Sequence, residues 1–355
     1  MNYMTAKEAA RLWNISQRRV AVLCAEQKIQ NAERLGNMWL IPKDSKKPID
    51  GRGLRFNNSN IKPFVKWAGG KAQLIEEIRK LYPTELGENI YKYAEPFVGG
   101  GAVLFDILSR YELKEVYISD TNAELITTYK VIRDDVEEII ALLSKYQLDY
   151  SPMCESDRKI YYYTKRARFN ELKLKKQMDT ELASLFIFLN RTCFNGLYRV
   201  NSKGEYNVPM GSYKSPIICD EAKLRQVARA LSKVSIFCAD YRESASFIDK
   251  RTFAYFDPPY RPLNITSSFT AYTEHVFDDA AQVELARFIK IMVDKGAYIL
   301  TSNSDPRNVD PNDNFFDELY SKMKILRVPA SRMINSNPKS RGKILELLIC
   351  SEGAI

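Results

Sequence analysis

The segment that most restricts the fold is Phe253-Ala-Tyr-Phe256 running straight into Asp257-Pro-Pro-Tyr260. An unbroken apolar run followed by a stop reads as a strand buried on both faces. Two prolines then remove two backbone donors and hold the residues before them out of helical geometry. The chain must leave the strand at a rigid, extended corner. In open α/β sheets that carboxyl edge is where ligands bind.

The remaining pattern supplies a sheet of that kind. Apolar runs at 91–97, 115–120, 234–240, 253–257, 297–302 and 344–350 predict strands, and 101–111, 122–144 and 280–294 predict helices between them. The alternation implies an α/β, Rossmann-like fold whose mainly parallel sheet is covered on both faces. From 149 to 220 the alternation stops, giving way to a basic helical stretch and a loop rich in Asn, Arg, Gly, Tyr and Pro. The expected division is a small module at 1–43, a polar linker at 44–60, a catalytic body at 61–148 and 221–355, and an insert at 149–220.

In the N-terminal module, Thr5 and Glu8 form a capping box ahead of the apolar residues Ala9, Ala10, Leu12 and Trp13. Asn14-Ile15 breaks the helix, and Ser16 can cap a second one running through Cys24. Residues 33–41 read as two short strands around Gly36-Asn37. The module resembles the winged helix-turn-helix of excisionase-type DNA-binding proteins. Arg18 and Arg19 then open the helix that commonly enters the major groove. The plainer alternative is a helical pair that touches no DNA.

Composition narrows the chemistry. With 53 Lys and Arg against 44 Asp and Glu the chain carries a formal charge of +9, which favours an anionic partner such as nucleic acid. With His275 as its single histidine, the chain has no Ser-His-Asp triad anchored in an obvious motif, no HExxH zinc site and no multi-histidine iron centre. The six cysteines form no CxxC pair, so reduced thiols in a cytoplasmic protein are expected rather than a zinc ribbon. No apolar run approaches the ~20 residues that span a bilayer, and Lys7, Glu8 and Arg11 interrupt any signal-peptide core.

Two further motifs bear on the site. Glu95-Pro-Phe-Val-Gly-Gly-Gly101 follows a strand and opens a helix, so its glycines permit close approach of a ligand to the backbone. Asp120, about 20 residues on, closes the next strand, where an acid can take ribose hydroxyls; helix capping is its plainer role. At the Pro-Pro corner, Asp257 and the carbonyl of Pro258 are suited to accept two N–H bonds from an exocyclic amine, with the ring of Tyr260 on the base's face. That amine is a poor nucleophile because its lone pair is delocalised into the ring. Accepting both hydrogens localises the pair toward a methyl sulfonium, and no histidine base is required.

Taken in order, these motifs resemble the class alpha, GATC-methylating type of DNA adenine-N6 methyltransferase, over residues 62–350. The resemblance implies S-adenosyl-L-methionine as methyl donor, no metal, and duplex DNA as substrate, with the adenine flipped out of the stack. Phe64-Val-Lys-Trp-Ala-Gly-Gly-Lys71 matches the family's opening motif. By that match Trp67 and Lys71 contact the cofactor, Lys71 near its methionine carboxylate. Phe97, Gly99 and Gly101 match the cofactor loop, Asp120 the ribose acid, and Asp240 a carboxylate near the cofactor's adenine. Asp257, Pro258, Pro259 and Tyr260 match the catalytic corner, with Asp257 also counted among the cofactor's neighbours.

Residues 190–213 resemble the family's target-recognition hairpin. Arg199 is the implied reader of a guanine edge. Asn195, Leu197, Pro209 and Tyr213 match positions that touch the recognition bases or fill the gap left by the flipped one, and Lys66 matches a position that can reach a base. The basic stretches 161–169 and 173–176 fit either phosphate tracking or a solvated helix face, and 332–343 either a loop over DNA or a polar connection. A monomer suits the family, and a companion restriction endonuclease is compatible with it. Three other readings stand beside this one. N4-cytosine methylation is opposed by Asp at 257 and by the hairpin. A nicotinamide dehydrogenase leaves the Pro-Pro corner unexplained. A DNA-binding regulator on a degenerate methyltransferase fold is opposed by the intact motifs.

Overall fold

The computed structural model describes residues 3–13, 17–25, 29, 31–36, 38–43, 45, 61–261, 277–331 and 343–351. The helix break at 14–16, Asn37, nearly all of the 44–60 linker, His275 and residues 332–342 lie outside them. Two compact units divide the chain, Met1–Arg55 and Phe56–Ile355.

The first unit runs β1 (Tyr3–Thr5), α1 (Ala6–Trp13), α2 (Gln17–Ala25), β2 (Glu33–Leu35) and β3 (Met38–Pro42), with β3 central and antiparallel to both other strands. The capping box forms: Thr5 N donates to Glu8 Oε2 at 2.7 Å, and Glu8 N donates to Thr5 Oγ1 at 3.3 Å. Ala9, Ala10 and Trp13 turn inward onto Val20, Leu23 and Ile41. Leu12, expected on that face, is 67% exposed. Its step of about 100° from Trp13 carries it off the buried stripe. The strand β1 was not expected; three residues are too few to show a period.

The second unit comprises α3 (Ile75–Arg79), β4 (Lys92–Glu95), α4 (Ala102–Arg110), β5 (Glu115–Asp120), α5 (Ala123–Asp134), α6 (Val136–Tyr150), α7 (Glu155–Leu174), α8 (Thr180–Thr192), α9 (Glu221–Leu231), β6 (Val234–Cys238), β7 (Thr252–Phe256), α10 (Asp279–Asp294), β8 (Tyr298–Ser304), α11 (Phe315–Leu319), β9 (Lys324–Ser331) and β10 (Lys343–Cys350). Its sheet has the order β6-β5-β4-β7-β8-β10-β9. The first five strands are parallel; β10 runs antiparallel to both its neighbours. The fold is therefore mixed α/β with a mostly parallel central sheet.

Alternation along each strand feeds two cores. Tyr93 and Ile118 pack on one face with Phe64, Tyr129 and Phe188, while Ala94 and Tyr117 pack on the other with Phe256, Leu285 and Phe316. Residues of α7 and α8, among them Phe169, Leu185 and Phe188, join the first cluster, so the insert shares a hydrophobic core with the sheet.

Three elements depart furthest from the sequence pattern. The single helix expected at 122–144 is two, broken at Asp135, whose ψ of 46° is not helical; the Asp134-Asp135 pair favours a cap over a helix interior. The strand expected at 91–97 ends at Glu95, because Pro96 supplies no donor to continue the ladder. Strand β9 was not expected because Pro329 interrupts it; as an edge strand it tolerates the proline.

Candidate active site

Strands β4, β5 and β7 are parallel, so their carboxyl ends share one edge, and Asp120 and Asp257 emerge there. The corner after β7 is tied down from two sides. Thr301 Oγ1 donates to the carbonyl of Phe256 at 3.0 Å, and Gln282 Nε2 to that of Pro259 at 3.0 Å. Among the described residues, none donates to the carbonyl of Pro258. Ser302 Oγ donates to Asp257 Oδ1 at 2.8 Å. Lys71 Nζ lies 2.6 Å from both carboxylate oxygens of Asp257, donates to the carbonyl of Gly69 at 2.7 Å, and sits 4.8 Å from the centre of the Tyr260 ring. The Tyr260 hydroxyl donates to Glu346 Oε2 at 2.5 Å, and burial together with Asp257 and Glu346 holds it well above the ordinary tyrosine range.

The glycine turn is shaped by what it packs against. A Cβ on Gly99, at φ +47°, would fall 2.8 Å from the Trp67 ring; one on Gly101, at φ +72°, would fall 2.5 Å from the Tyr129 hydroxyl. Gly99 N donates to Asp120 Oδ2 at 3.1 Å and Asn122 N to Oδ1 at 2.9 Å. Burial pushes the Asp120 carboxyl up, against those backbone donors. Asn122, not Asp120, caps α5, through Leu125 N at 2.8 Å. Phe97 stacks on Tyr241 with centroids 5.5 Å apart. Asp240 lies two residues past β6, accepts from Arg242 N at 3.0 Å and pairs with the Arg242 side chain. Below the turn, burial pushes Glu95 up to about 8, opposed by the Tyr93 hydroxyl at 2.7 Å and reinforced by the charge of Asp257.

The hairpin carries two isolated antiparallel bridges, Cys193 with Met210 and Val200 with Tyr206. Asn190 organises its base. Its amide accepts from Lys66 N at 2.8 Å and donates to the carbonyls of Lys66 at 2.8 Å and Gly196 at 3.0 Å. Lys66 Nζ meets the Tyr213 hydroxyl at 3.2 Å and lies 4.7 Å from its ring centre. Asn195 (φ +54°), Arg199 and Pro209 are exposed, and Leu197 is half-buried. Arg199 Nε donates to Asn207 Oδ1 at 2.8 Å. The intervening Tyr198 points the other way. Its ring stacks on Trp67 at 5.8 Å, and its hydroxyl donates to buried Glu124 at 3.0 Å. In the other unit, Arg18 and Arg19 fall in the first turn of α2.

Residues 67–334 match the family described as D12 class N6 adenine-specific DNA methyltransferase. The type II methyltransferase M.MjaIII of Methanocaldococcus jannaschii is 49% identical over 81% of this chain and 98% of its own length. The chain belongs to that family. Two other relatives agree: type II methyltransferase M1.LlaDCHI of Lactococcus lactis subsp. cremoris is 35% identical over 84% of this chain and 99% of its own length, and a DNA adenine methylase of Haemophilus influenzae is 36% identical over 81% and 92%. It is an adenine-specific DNA methyltransferase, and the family implies an S-adenosylmethionine-dependent reaction.

Several groups in this methyltransferase escape a reading by motif. Ser302, Tyr255 and Glu346 brace the corner from the strand behind and beside it, and Asn190 holds the backbone of Lys66. The polar run Thr301-Ser302-Asn303-Ser304, buried in the second half of β8, was the available signal. Phe194, 51% exposed next to Asn195, is a bare aromatic ring on the hairpin. The basic helix behaves differently from a phosphate track. Arg168 is spent on Glu171 and Glu181, Lys175 on Glu171, and Lys173 on Glu124, while Lys165 lies over the rings of Tyr146 and Tyr161. Among the described residues, no helix is long and apolar enough to cross a membrane.

Proposed function

We propose that the methyltransferase modifies an adenine extruded from duplex DNA, within GATC or a site sharing part of it. The observation that carries this reading is the acceptor pair at the end of β7, the Asp257 carboxylate next to the Pro258 carbonyl. Two acceptors held on a corner with no rotational freedom match the two hydrogens of one flat amine. Pro259 keeps that corner extended, and Tyr260 offers its ring to the base.

S-adenosylmethionine fits the residues at the carboxyl edge: a tight glycine turn packed so closely on Trp67 and Tyr129 that it carries no side chains over the strand ends, and a half-buried acid at the end of β5. When bound, it supplies a methyl group made electrophilic by a positively charged sulfur. Trp67, Phe97, Gly99 and Gly101 would hold it, with Asp120 on its ribose and Asp240 toward its adenine. Lys71 reaches Asp257 in this structure, so its role extends from the cofactor's carboxylate to the acceptor itself. The chain's own work is alignment and exclusion of water; the proton on the methylated, cationic amine is acidic enough to leave without a strong base.

Arg199 is the reader of a guanine edge, with Asn195, Leu197, Pro209, Tyr213 and Lys66 around it; the exposure of Arg199, Asn195, Pro209 and Lys66 and the tethering of Lys66 by Asn190 support the reading. The N-terminal unit, two helices and a three-stranded antiparallel sheet, is proposed as a winged helix-turn-helix that binds DNA through Arg18 and Arg19. The type II relatives favour a companion restriction endonuclease, with this chain acting as a cytoplasmic monomer. Incubation of mixed-sequence DNA with labelled cofactor, followed by mapping of modified bases, tests the core of this. N6-methyladenine confined to GATC is the expected result, and label at adenines in an unrelated site would remove the specificity. Arg18→Ala with Arg19→Ala in the full chain should weaken binding to DNA at low salt; unchanged binding would remove the module from DNA contact.

A further inference from the structure

The Asp257 carboxylate does not stand alone on its corner. Behind it, Ser302 Oγ donates to Oδ1 at 2.8 Å, and the Tyr255 hydroxyl lies 2.8 Å from the same Ser302 oxygen. Ser302 is fully buried and Tyr255 nearly so. A serine hydroxyl has one proton. Asp257 is the acceptor-only member when ionised, so that proton points at Oδ1, and the Ser302–Tyr255 bond must take its proton from tyrosine. The direction of the chain is thereby fixed: Tyr255 donates to Ser302, and Ser302 donates to Asp257. Burial and the nearby charge of Asp257 hold the Tyr255 hydroxyl far above its ordinary range, which keeps it a donor throughout.

The register explains why these groups meet. Strands β7 and β8 are parallel, with Tyr255 opposite Leu300 and Phe256 opposite Thr301. The next residues along the two strands, Asp257 and Ser302, therefore come level where β7 ends. Tyr255 and Asp257 are two apart and project to the same face, as does Ser302 from β8. Thr301, on the opposite face, ties the backbone instead, through the carbonyl of Phe256.

We propose that Ser302 is a positioning residue for methyl transfer, and that Tyr255 acts through it. With Lys71 already held against the two oxygens, they fix the rotation of the Asp257 carboxylate, Ser302 taking one lone pair of Oδ1 so that the lone pairs used by neither group face the target amine. The inference rests on Asp257 being the acceptor of that amine. A carboxylate free to turn about its last bond would present its oxygens to the amine only part of the time, slowing the chemical step while leaving the binding of DNA and cofactor intact.

The test uses the full-length enzyme with S-adenosylmethionine and a duplex containing its site. Ser302→Ala should lower kcat by about ten- to a hundredfold, the range for a lost hydrogen bond to a charged group, with KM for DNA and cofactor changed less than about threefold. Tyr255→Phe, which removes one oxygen atom, should lower kcat by about two- to tenfold. The double variant should be no slower than Ser302→Ala, because Tyr255 has no other route to the carboxylate. Three results would overturn the proposal: an unchanged kcat in Ser302→Ala, a loss accompanied by raised KM values and a lower melting temperature in both single variants, or a full additional loss in the double variant. Asp257→Ala run alongside separates the two levels. If Asp257→Ala retains turnover, the acceptor reading itself fails; if it is inactive while Ser302→Ala is unimpaired, only the positioning role fails.

Discussion

The corner after β7 and the hairpin at 190–213 are held in opposite ways. At the corner the functional groups themselves are gripped: Asp257 by Ser302 and Lys71, Tyr260 by Glu346, and the carbonyls on either side of Pro258 by Thr301 and Gln282. On the hairpin the backbone is gripped, by Asn190 and by Arg158, which donates to the carbonyls of Tyr213 and Lys214. Its proposed reading residues Asn195, Arg199 and Pro209 are left exposed, with Arg199 donating through Nε to its hairpin neighbour Asn207. The difference suits the roles proposed for them, methyl transfer at the corner and base reading on the hairpin. A reacting atom needs one geometry before the substrate arrives. A base edge is read by groups that exchange water for DNA, so they stay exposed until then.

The sharpest way to break this contrast is Asp257→Ala. Turnover should fall by about a hundred- to a thousandfold or more, the scale seen when one electrostatic group is removed from an active site, while DNA affinity in a gel-shift assay is largely kept. Retained methyl transfer would mean that the gripped region is not the reacting one.

Next in size is the pH dependence of stability under the corner. Glu95 has a folded value of about 8 against 4.5 when exposed, so the folded state binds more protons than the unfolded state between those limits. Stability from this group is therefore greatest at the acid end and falls as pH rises from about 4.5 to about 8, by a few kcal/mol in all. Melting curves across that window should show the fall in the native protein and its flattening in Glu95→Gln. Parallel curves would place the charge-sensitive site elsewhere.

On the hairpin the effects are smaller and change preference, not stability. Arg199→Ala should cost about 1–3 kcal/mol of discrimination at one guanine, read as methylation rates on duplexes substituted at each position. An identical profile would show that another side chain reads the base. The mildest change is Tyr213→Phe, which removes the hydroxyl beside Lys66 Nζ but keeps the ring under it. Binding should weaken by less than about 1 kcal/mol. A loss as large as that of Arg199→Ala would mean that the hairpin's side chains are as tightly organised as the corner's, and the contrast would dissolve.

How much the sequence disclosed follows the same division. Five parallel strands and the corner were legible because apolar runs and a Pro-Pro stop are local signals. So was the capping box at Thr5 and Glu8. Strand β9 was hidden by Pro329, and the break at Asp135 by helical residues on both sides. The grip on the corner could not be read locally at all, since Ser302 lies 45 positions beyond Asp257 and Glu346 lies 86 beyond Tyr260. Only the register of β7, β8 and β10 brings them to the corner. The partners of the basic stretch of α7 were hidden for a related reason: Glu124 and Glu181 belong to other helices.

The stack of Tyr198 on Trp67 has a consequence for exchange between relatives. Tyr198 sits between Leu197 and Arg199, yet its ring lies against the indole that fills the space beside Gly99. A hairpin transplanted from another enzyme to change its target would arrive with its root still wedged against Trp67, which is proposed to line the methyl donor's seat. Such a graft has to bring its own tenant for that slot, or inherit an aromatic of the same girth, before any new letter of DNA can be spelled out.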